Sequence, residues 1–188
     1  MAVKSSFKNM VLCLLVICLV SSSLLAVIYA LTKAPIEAAA LAKTNNAIAQ
    51  VVPEFEGEPV KAQISLDGKD YTYYSVSKGG SVAGYAIMAS STGFGGALSL
   101  MVGITADGVV YNTSVLAQTE TPGLGAKCTD PSFSDQFRNF NPAEKKLQVK
   151  KDGGDVDAIT ASTITSRAYV AAIQTALNVY QAIKTEAK

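Results

Sequence analysis

The sequence predicts an α+β protein, a single N-terminal transmembrane helix followed by one domain in which a mainly antiparallel sheet is packed by helices. Three observations predict it. An uncharged apolar run lies near the N-terminus, the middle alternates between extended segments and glycine-containing turns, and apolar residues near the C-terminus recur at intervals of three and four.

The apolar run extends from Met10 to Leu31, a span of about 22 residues where roughly 20 cross a hydrocarbon core as a helix. Ser21, Ser22 and Ser23 interrupt it, but their hydroxyls can bond back to helix carbonyls. Lys4 and Lys8 precede it, and Lys33 and Glu37 follow. The positive-inside rule therefore favours a cytoplasmic N-terminus with the remainder outside. A cleaved signal peptide is the competing reading. Ala30 suits the position before a cut, but Ile28 is large for its place, and Ile17 spoils a lipobox at Cys18. A retained anchor is the better reading. Pro35 suits the first turn of a new helix, and the alanine-rich stretch from Ile36 to Val52 reads as a helical connector or a helix packed on the domain.

After Pro53 the character changes. Asp67-Gly68 and Asp107-Gly108 read as hairpin turns, with strands expected over Tyr71–Val76, Val82–Ser90, Ala97–Ile104 and Val109–Ala117. Gly79-Gly80 reads as a turn. Gly93-Phe94-Gly95-Gly96 lies between strands rather than opening a helix, so it lacks the setting of a dinucleotide-binding loop. Asp130-Pro131-Ser132 can open a short helix through Phe133, Phe137 and Phe140, or these rings can equally fill the core, and Leu147–Val149 is a short strand candidate. Val170, Ile173, Leu177 and Tyr180 give the last helix one apolar face, with Lys184 and Lys188 near the end that the helix dipole prefers for cations. The expected organisation is thus a cytoplasmic N-terminus (1–9), a transmembrane helix (10–31), a connector (32–53) and an extracytoplasmic domain (54–188).

Composition excludes several kinds of chemistry. The 188 residues hold 16 Lys+Arg against 15 Asp+Glu, which suggests no nucleic-acid partner, and 49% hydrophobic residues. No histidine is present, so there is no Ser-His-Asp triad, imidazole base or His-ligated metal. Cys13, Cys18 and Cys128 form no CxxC pair, which argues against a zinc site made by this chain alone. A redox role would need a borrowed cofactor.

Chemistry is most expected in Asp157-Ala-Ile-Thr160-Ala161-Ser162-Thr163-Ile-Thr165-Ser166, just before the last helix. One hydroxyl there serves as an N-cap; five exceed that need. The segment resembles the flavinylation motif of the FMN-carrying subunits of the Rnf and sodium-pumping NADH:quinone oxidoreductase complexes. There, Asp-x-x-Ser/Thr-Gly-Ala-Thr-x-Thr carries FMN through a threonine phosphoester. Laid on this chain, the resemblance places the aspartate at Asp157, the Ser/Thr at Thr160 and the FMN-bearing threonine at Thr165, with Thr163 and Ser162 beside it. Ala161-Ser162 stands where the family has Gly-Ala. A second passage, Glu120-Thr121-Pro122-Gly123-Leu124-Gly125, matches the family at every position, and the resemblance implies that it lies against the flavin. The Gly84-Tyr85 and Gly93–Gly96 passages are similar to the family too. An acceptor threonine at a helix N-terminus also suits a phosphate physically, and Lys150, Lys151 and Arg167 are candidate phosphate neighbours.

The resemblance implies a membrane-anchored FMN-binding domain, the G subunit of an Rnf-type ferredoxin:NAD oxidoreductase coupled to ion transport in a bacterial or archaeal cell membrane. It further implies covalent FMN, other members of the complex as partners, and a separate flavin transferase for maturation. The C subunit of the sodium-pumping complex and a non-flavinylated, membrane-anchored interaction domain are the alternatives, and a stand-alone FMN reductase is a third. No catalytic residue of the chain's own and no metal site is expected.

Overall fold

The computed structural model describes residues 6–186; Lys4 and Lys188 lie outside the described residues. The chain divides into two compact units, Met1–Lys43 and Thr44–Lys188. Helix α1 (Phe7–Val51) contributes to both.

In the first unit α1 carries no charged residue between Met10 and Leu31, and its most apolar window has a mean hydropathy of 2.9 with none of it buried. By length and composition it is able to cross a membrane. Pro35 does not open a second helix, as the sequence suggests, but sits inside the continuous α1. An interior proline removes one helix hydrogen bond and costs about 3 kcal/mol. The alanines that follow, Ala38, Ala39, Ala40 and Ala42, are the strongest helix formers and favour continuation.

The second unit opens with the end of α1, which is packed on the domain rather than serving as a free connector. Ala47, Ile48 and Val51 lie on one helix face and are buried with Val76, Ala86 and Met101 of the sheet. The sheet is a five-stranded antiparallel meander in sequence order: β1 (Glu56–Leu66), β2 (Lys69–Lys78), β3 (Ser81–Thr92), β4 (Ala97–Thr105) and β5 (Val110–Ala117). Its turns fall where the sequence places them. Asp67 and Gly68 (φ 52° and 74°) and Gly79 and Gly80 (φ 59° and 79°) both adopt the left-handed pairs that tight hairpins require. The β4–β5 connection closes through Thr105 N donating to Val109 O at 2.9 Å, with Gly108 at φ 89°.

The other face of the sheet carries the larger core. Tyr85, Ile87 and Ala89 of β3 alternate inward with Leu98, Leu100, Val102 and Ile104 of β4, as the two-residue period of a strand demands. Against them lies a long C-terminal helix (Thr163–Glu186, here α3), burying Tyr169, Ile173, Leu177 and Tyr180; Ala172 and Ala176 keep the helix close to the strands. Between β5 and α3 the chain forms helix α2 (Pro131–Ser134) and short 3-10 turns at Gly125–Thr129, Asp135–Phe137 and Lys150–Asp152. Phe133 and Phe137 enter the core and meet Tyr169, Phe137 stacking at 4.9 Å and Phe133 edge-on at 5.2 Å between centroids. The strand expected at Leu147–Val149 is reduced to one parallel bridge, Val149 with Val156. The 3-10 turn that follows, closed by Gly153 at φ 83°, diverts the chain after a single pairing.

Gly103 of β4 is where the carbonyl of Val51 approaches the sheet, and a Cβ there would stand 1.5 Å from that oxygen. Gly103→Ala is expected to lift the end of α1 from the sheet and destabilise the domain by about 2 kcal/mol. A lowered Tm with faster amide exchange at Ile48 and Val51 would show it.

Candidate functional site

Three loops converge at the N-terminal end of α3. One is the β3–β4 hairpin loop, Gly93–Gly96; the second is Glu120–Gly125 after β5; the third is the hydroxyl-rich lead into α3. At their junction Glu120 is only 6% exposed. Its Oε2 accepts a hydrogen bond from Thr165 Oγ1 at 2.7 Å, and its Oε1 accepts one from Gly95 N at 3.3 Å. Both oxygens therefore have donors, which a buried carboxylate needs. The nearby glycines follow from this carboxylate. A Cβ at Gly93 would stand 2.0 Å from Oε1, and one at Gly125 would stand 2.5 Å from Oε2. Gly95 is held for a related reason, since its Cβ would meet Thr119 O at 2.1 Å.

The five hydroxyls before and within the first turn of α3 divide the work. Ser162 precedes the first helical residue, and its carbonyl accepts from Ser166 N at 3.1 Å, as an N-cap residue does. Ser166 is buried; its Oγ donates to Ser162 O and accepts from Ile159 N, tying the approach segment to the helix. Thr165 is wholly buried, with Oγ1 bound to Glu120 and 3.2 Å from Ser162 Oγ. An ester at Thr165, the position the resemblance implies, would have to displace the carboxylate and open the core. Thr163, the first residue of α3, is half-buried and faces an open groove instead. Thr160 is exposed.

That groove has a volume of about 390 Å³, inside the range of small-molecule sites. Phe94, Leu124 and Ile164 form apolar walls while being 71%, 43% and 51% exposed themselves. Thr121, Ala161, Ser162 and Thr163 complete the lining. All three loops thus contribute. Of the residues singled out in the sequence, Thr121, Leu124, Ser162 and Thr163 line the groove, whereas Glu120, Gly125 and Thr165 lie beneath it. Gly123 makes a turn at φ 76° with open space around it. Asp157 and Thr160 line a neighbouring cleft of about 240 Å³ instead. Gln136 holds the Asp157 backbone at both polar groups, accepting from its N at 2.8 Å and donating to its O at 3.2 Å.

The cations are arranged around the same helix end. Lys150 pairs with Asp157 at 2.7 Å. Arg167 donates Nε and Nη2 to the two oxygens of Asp152, both at 2.7 Å; this fork holds the Asp152 carboxyl below its ordinary range. Lys151 Nζ donates to Thr163 Oγ1 at 3.3 Å. Phe94 and Ile164 are the groove residues that sequence reasoning misses. Their signal is present all the same: an aromatic ring among glycines and an isoleucine between two threonines belong to no apolar stripe.

Residues 93–178 match the FMN-binding domain family, a stretch that takes in all three loops and most of α3. The chain is 32% identical over 183 residues to the G subunit of the ion-translocating oxidoreductase complex of Methanosarcina acetivorans, covering 95% of this chain and 96% of that one. It is 30% identical over 165 residues to the G subunit of the proton-translocating ferredoxin:NAD(+) oxidoreductase complex of Clostridium ljungdahlii, covering 87% and 86%. The chain belongs to the G-subunit family of ion-translocating oxidoreductase complexes. A solved structure of the C subunit of a Na(+)-translocating NADH-quinone reductase from Parabacteroides distasonis is 21% identical, with a TM-score of 0.47 over 66% of this chain and 73% of that one.

In this member of the family, Ala161 carries φ 60°, a left-handed conformation that a Cβ disfavours. Ala161→Gly is expected to stabilise the fold by about 0.5–1 kcal/mol, the relieved strain exceeding glycine's added chain entropy; urea unfolding measures it. Beneath the site, burial and the charge of Glu120 push the Cys128 thiol up from 9.0 to about 11. Burial pushes the Tyr169 hydroxyl from 10.0 to about 12, although its hydrogen bond to Thr113 at 2.8 Å pulls the other way. Both groups stay protonated in the fold where the unfolded chain releases its protons. The stability they protect is therefore complete below pH 9.0 and declines as the pH rises through 9.0 to about 11 for Cys128 and 10.0 to about 12 for Tyr169. Urea midpoints across this range are expected to fall, and to fall less steeply in Tyr169→Phe.

Proposed function

We propose that this chain is the membrane-anchored, flavin-carrying subunit of an ion-translocating oxidoreductase complex, and that Thr163 bears FMN through a phosphoester. The observation that carries the reading is the placement of the Thr163 hydroxyl: on the first residue of α3, at the edge of an apolar groove, beside the ammonium of Lys151. The donor set fits the group. Phe94, Leu124 and Ile164 offer apolar surface to a planar ring system, and Thr121 offers a hydroxyl at the rim. The N–H groups that point out of a helix N-terminus, together with Lys151, suit a phosphate. FMN supplies one- and two-electron transfer chemistry, which no side chain here provides. The protein's part is to hold the ring in a fixed polarity, shield one side from water and keep it from dissociating.

Several features support the wider reading. The relatives it matches over most of its length belong to ion-translocating complexes, one of them a ferredoxin:NAD(+) oxidoreductase, so the partners are other membrane proteins of such a complex. The apolar part of α1 is the anchor. Lys8 before it, and the family setting, favour a cytoplasmic N-terminus and an extracytoplasmic flavin domain. In that compartment a lost FMN is not readily replaced, which gives covalent attachment its value. A separate flavin transferase makes the bond, since the chain has no nucleotide-activating loop of its own.

Co-expression of the full chain with a flavin transferase, followed by denaturing electrophoresis, tests the assignment. Flavin fluorescence is expected on the wild-type band and on folded Thr165→Val, and its loss is expected in Thr163→Val. Fluorescence that survives in Thr163→Val and disappears in folded Thr165→Val would return the acceptor to Thr165.

A further inference from the structure

We propose that Lys151 is the phosphate-positioning residue of the attachment site, holding the incoming phosphoryl group against Thr163. The inference rests on the reading that Thr163 is the acceptor, and goes beyond it by naming the group on this chain that recognises the donor.

Three cations surround the first turn of α3, and two are already committed. Lys150 is neutralised by Asp157 at 2.7 Å, and Arg167 by both oxygens of Asp152. Lys151 is different: among the described residues no carboxylate lies within ion-pair distance of its Nζ, and its hydrogen bond goes to Thr163 Oγ1. The backbone that carries it is fixed from several sides. Lys151 is the middle residue of the 3-10 turn Lys150–Asp152, which ends at the left-handed Gly153. Its two neighbours are the ones pinned, Asp152 to α3 through Arg167 and Lys150 to the approach segment through Asp157. A Cβ on Gly154 would stand 2.1 Å from Gln148 O, so the chain beyond the turn is tightly placed as well. The flanking ion pairs thus aim the remaining ammonium at the acceptor hydroxyl.

The chemistry of attachment gives that ammonium a task. A hydroxyl and a phosphate monoester do not condense in water, so the donor must carry the flavin phosphate as an anhydride, as a flavin dinucleotide does. Thr163 Oγ1 forms the new bond to phosphorus, and the anhydride P–O bond breaks. The nucleoside monophosphate leaves with that electron pair, and the hydroxyl proton passes to a base of the transferase. Negative charge persists on the phosphoryl oxygens throughout, and Lys151 faces it beside the attacking oxygen. Afterwards the same ammonium neutralises the phosphodiester, whose one negative charge also lies at the favourable end of the α3 dipole.

The test follows covalent labelling of the full-length chain over time, with flavin adenine dinucleotide as donor and a transferase active on a second target. Lys151 is exposed, so its influence is screened by salt. Lys151→Met is expected to lower the initial rate about tenfold at low ionic strength, with Lys151→Glu lower still and Lys151→Arg within about threefold of wild type. The gap between wild type and Lys151→Met is expected to narrow as salt rises from about 0.05 M to about 0.5 M. Equal rates for wild type and Lys151→Met would overturn the proposal. So would a deficit that is independent of salt and not rescued by arginine, since that marks a purely structural role. A wild-type chain that stays dark while the second target labels would instead remove the reading of Thr163 as acceptor, and the role of Lys151 with it.

Discussion

The hydrogen bond between the buried carboxylate of Glu120 and the hydroxyl of Thr165, 2.7 Å long, is the constraint on which the rest of the site depends. A carboxylate is costly to bury unless donors meet it, and unpairing it would leave that cost in full. Meeting it here requires the first turn of α3 on one side and the amide of Gly95 on the other. Three segments far apart in the chain are thereby fastened at one point. The same carboxylate fills the space that side chains at positions 93 and 125 would occupy. Close packing around one charged group thus explains Gly93 and Gly125, while Gly95 and Gly96 are held by Thr119 and Gly123 by the φ of its turn.

From that fastening follows the groove. With Thr165 turned inward, Thr163 and Ile164 are left on the open side of α3. Phe94 and Leu124, each on a loop anchored at its base, stand over the same space. Large apolar side chains left exposed around a hydroxyl suit a ligand with a flat apolar body and a polar tail. Rigidity comes from below. α3 is held on β3 and β4 by an unbroken apolar face, and Tyr169 is locked by Phe133, Phe137 and Thr113. The site is made of loops, but those loops rest on a sheet and a helix that have little freedom to shift.

The opposite face of the sheet serves a different need. The end of α1 buries Ala47, Ile48 and Val51 there, made possible by the missing side chain at Gly103. The domain therefore begins inside the helix, before the proline at position 53, and the first strand starts from a fixed point. The small residues Ala86 and Gly103 are the complement of a helix backbone lying close to the strands.

Much of this was legible in the sequence because it depends on local periodicity and on residues with a single conformational meaning. The uncharged span from Met10, the hairpins at Asp67-Gly68 and Gly79-Gly80, the strand alternation and the apolar stripe of α3 all follow from side-chain spacing and backbone sterics. The hydroxyl cluster ahead of α3 also stood out, since five hydroxyls exceed what a helix cap needs. What only the tertiary structure decided was which hydroxyl faces which way. Thr163 and Thr165 are two residues apart, about 200° around a helix, so one points into the core when the other points out. The choice between them is made by the sheet and by Glu120, forty-five positions upstream. The continuation of α1 through Pro35 and the packing of its end were likewise undetermined, because helix propensity and a proline conflict locally and a distant glycine settles the contact. Periodicity is written along the chain; the facing of a single side chain is set by partners that only folding brings near.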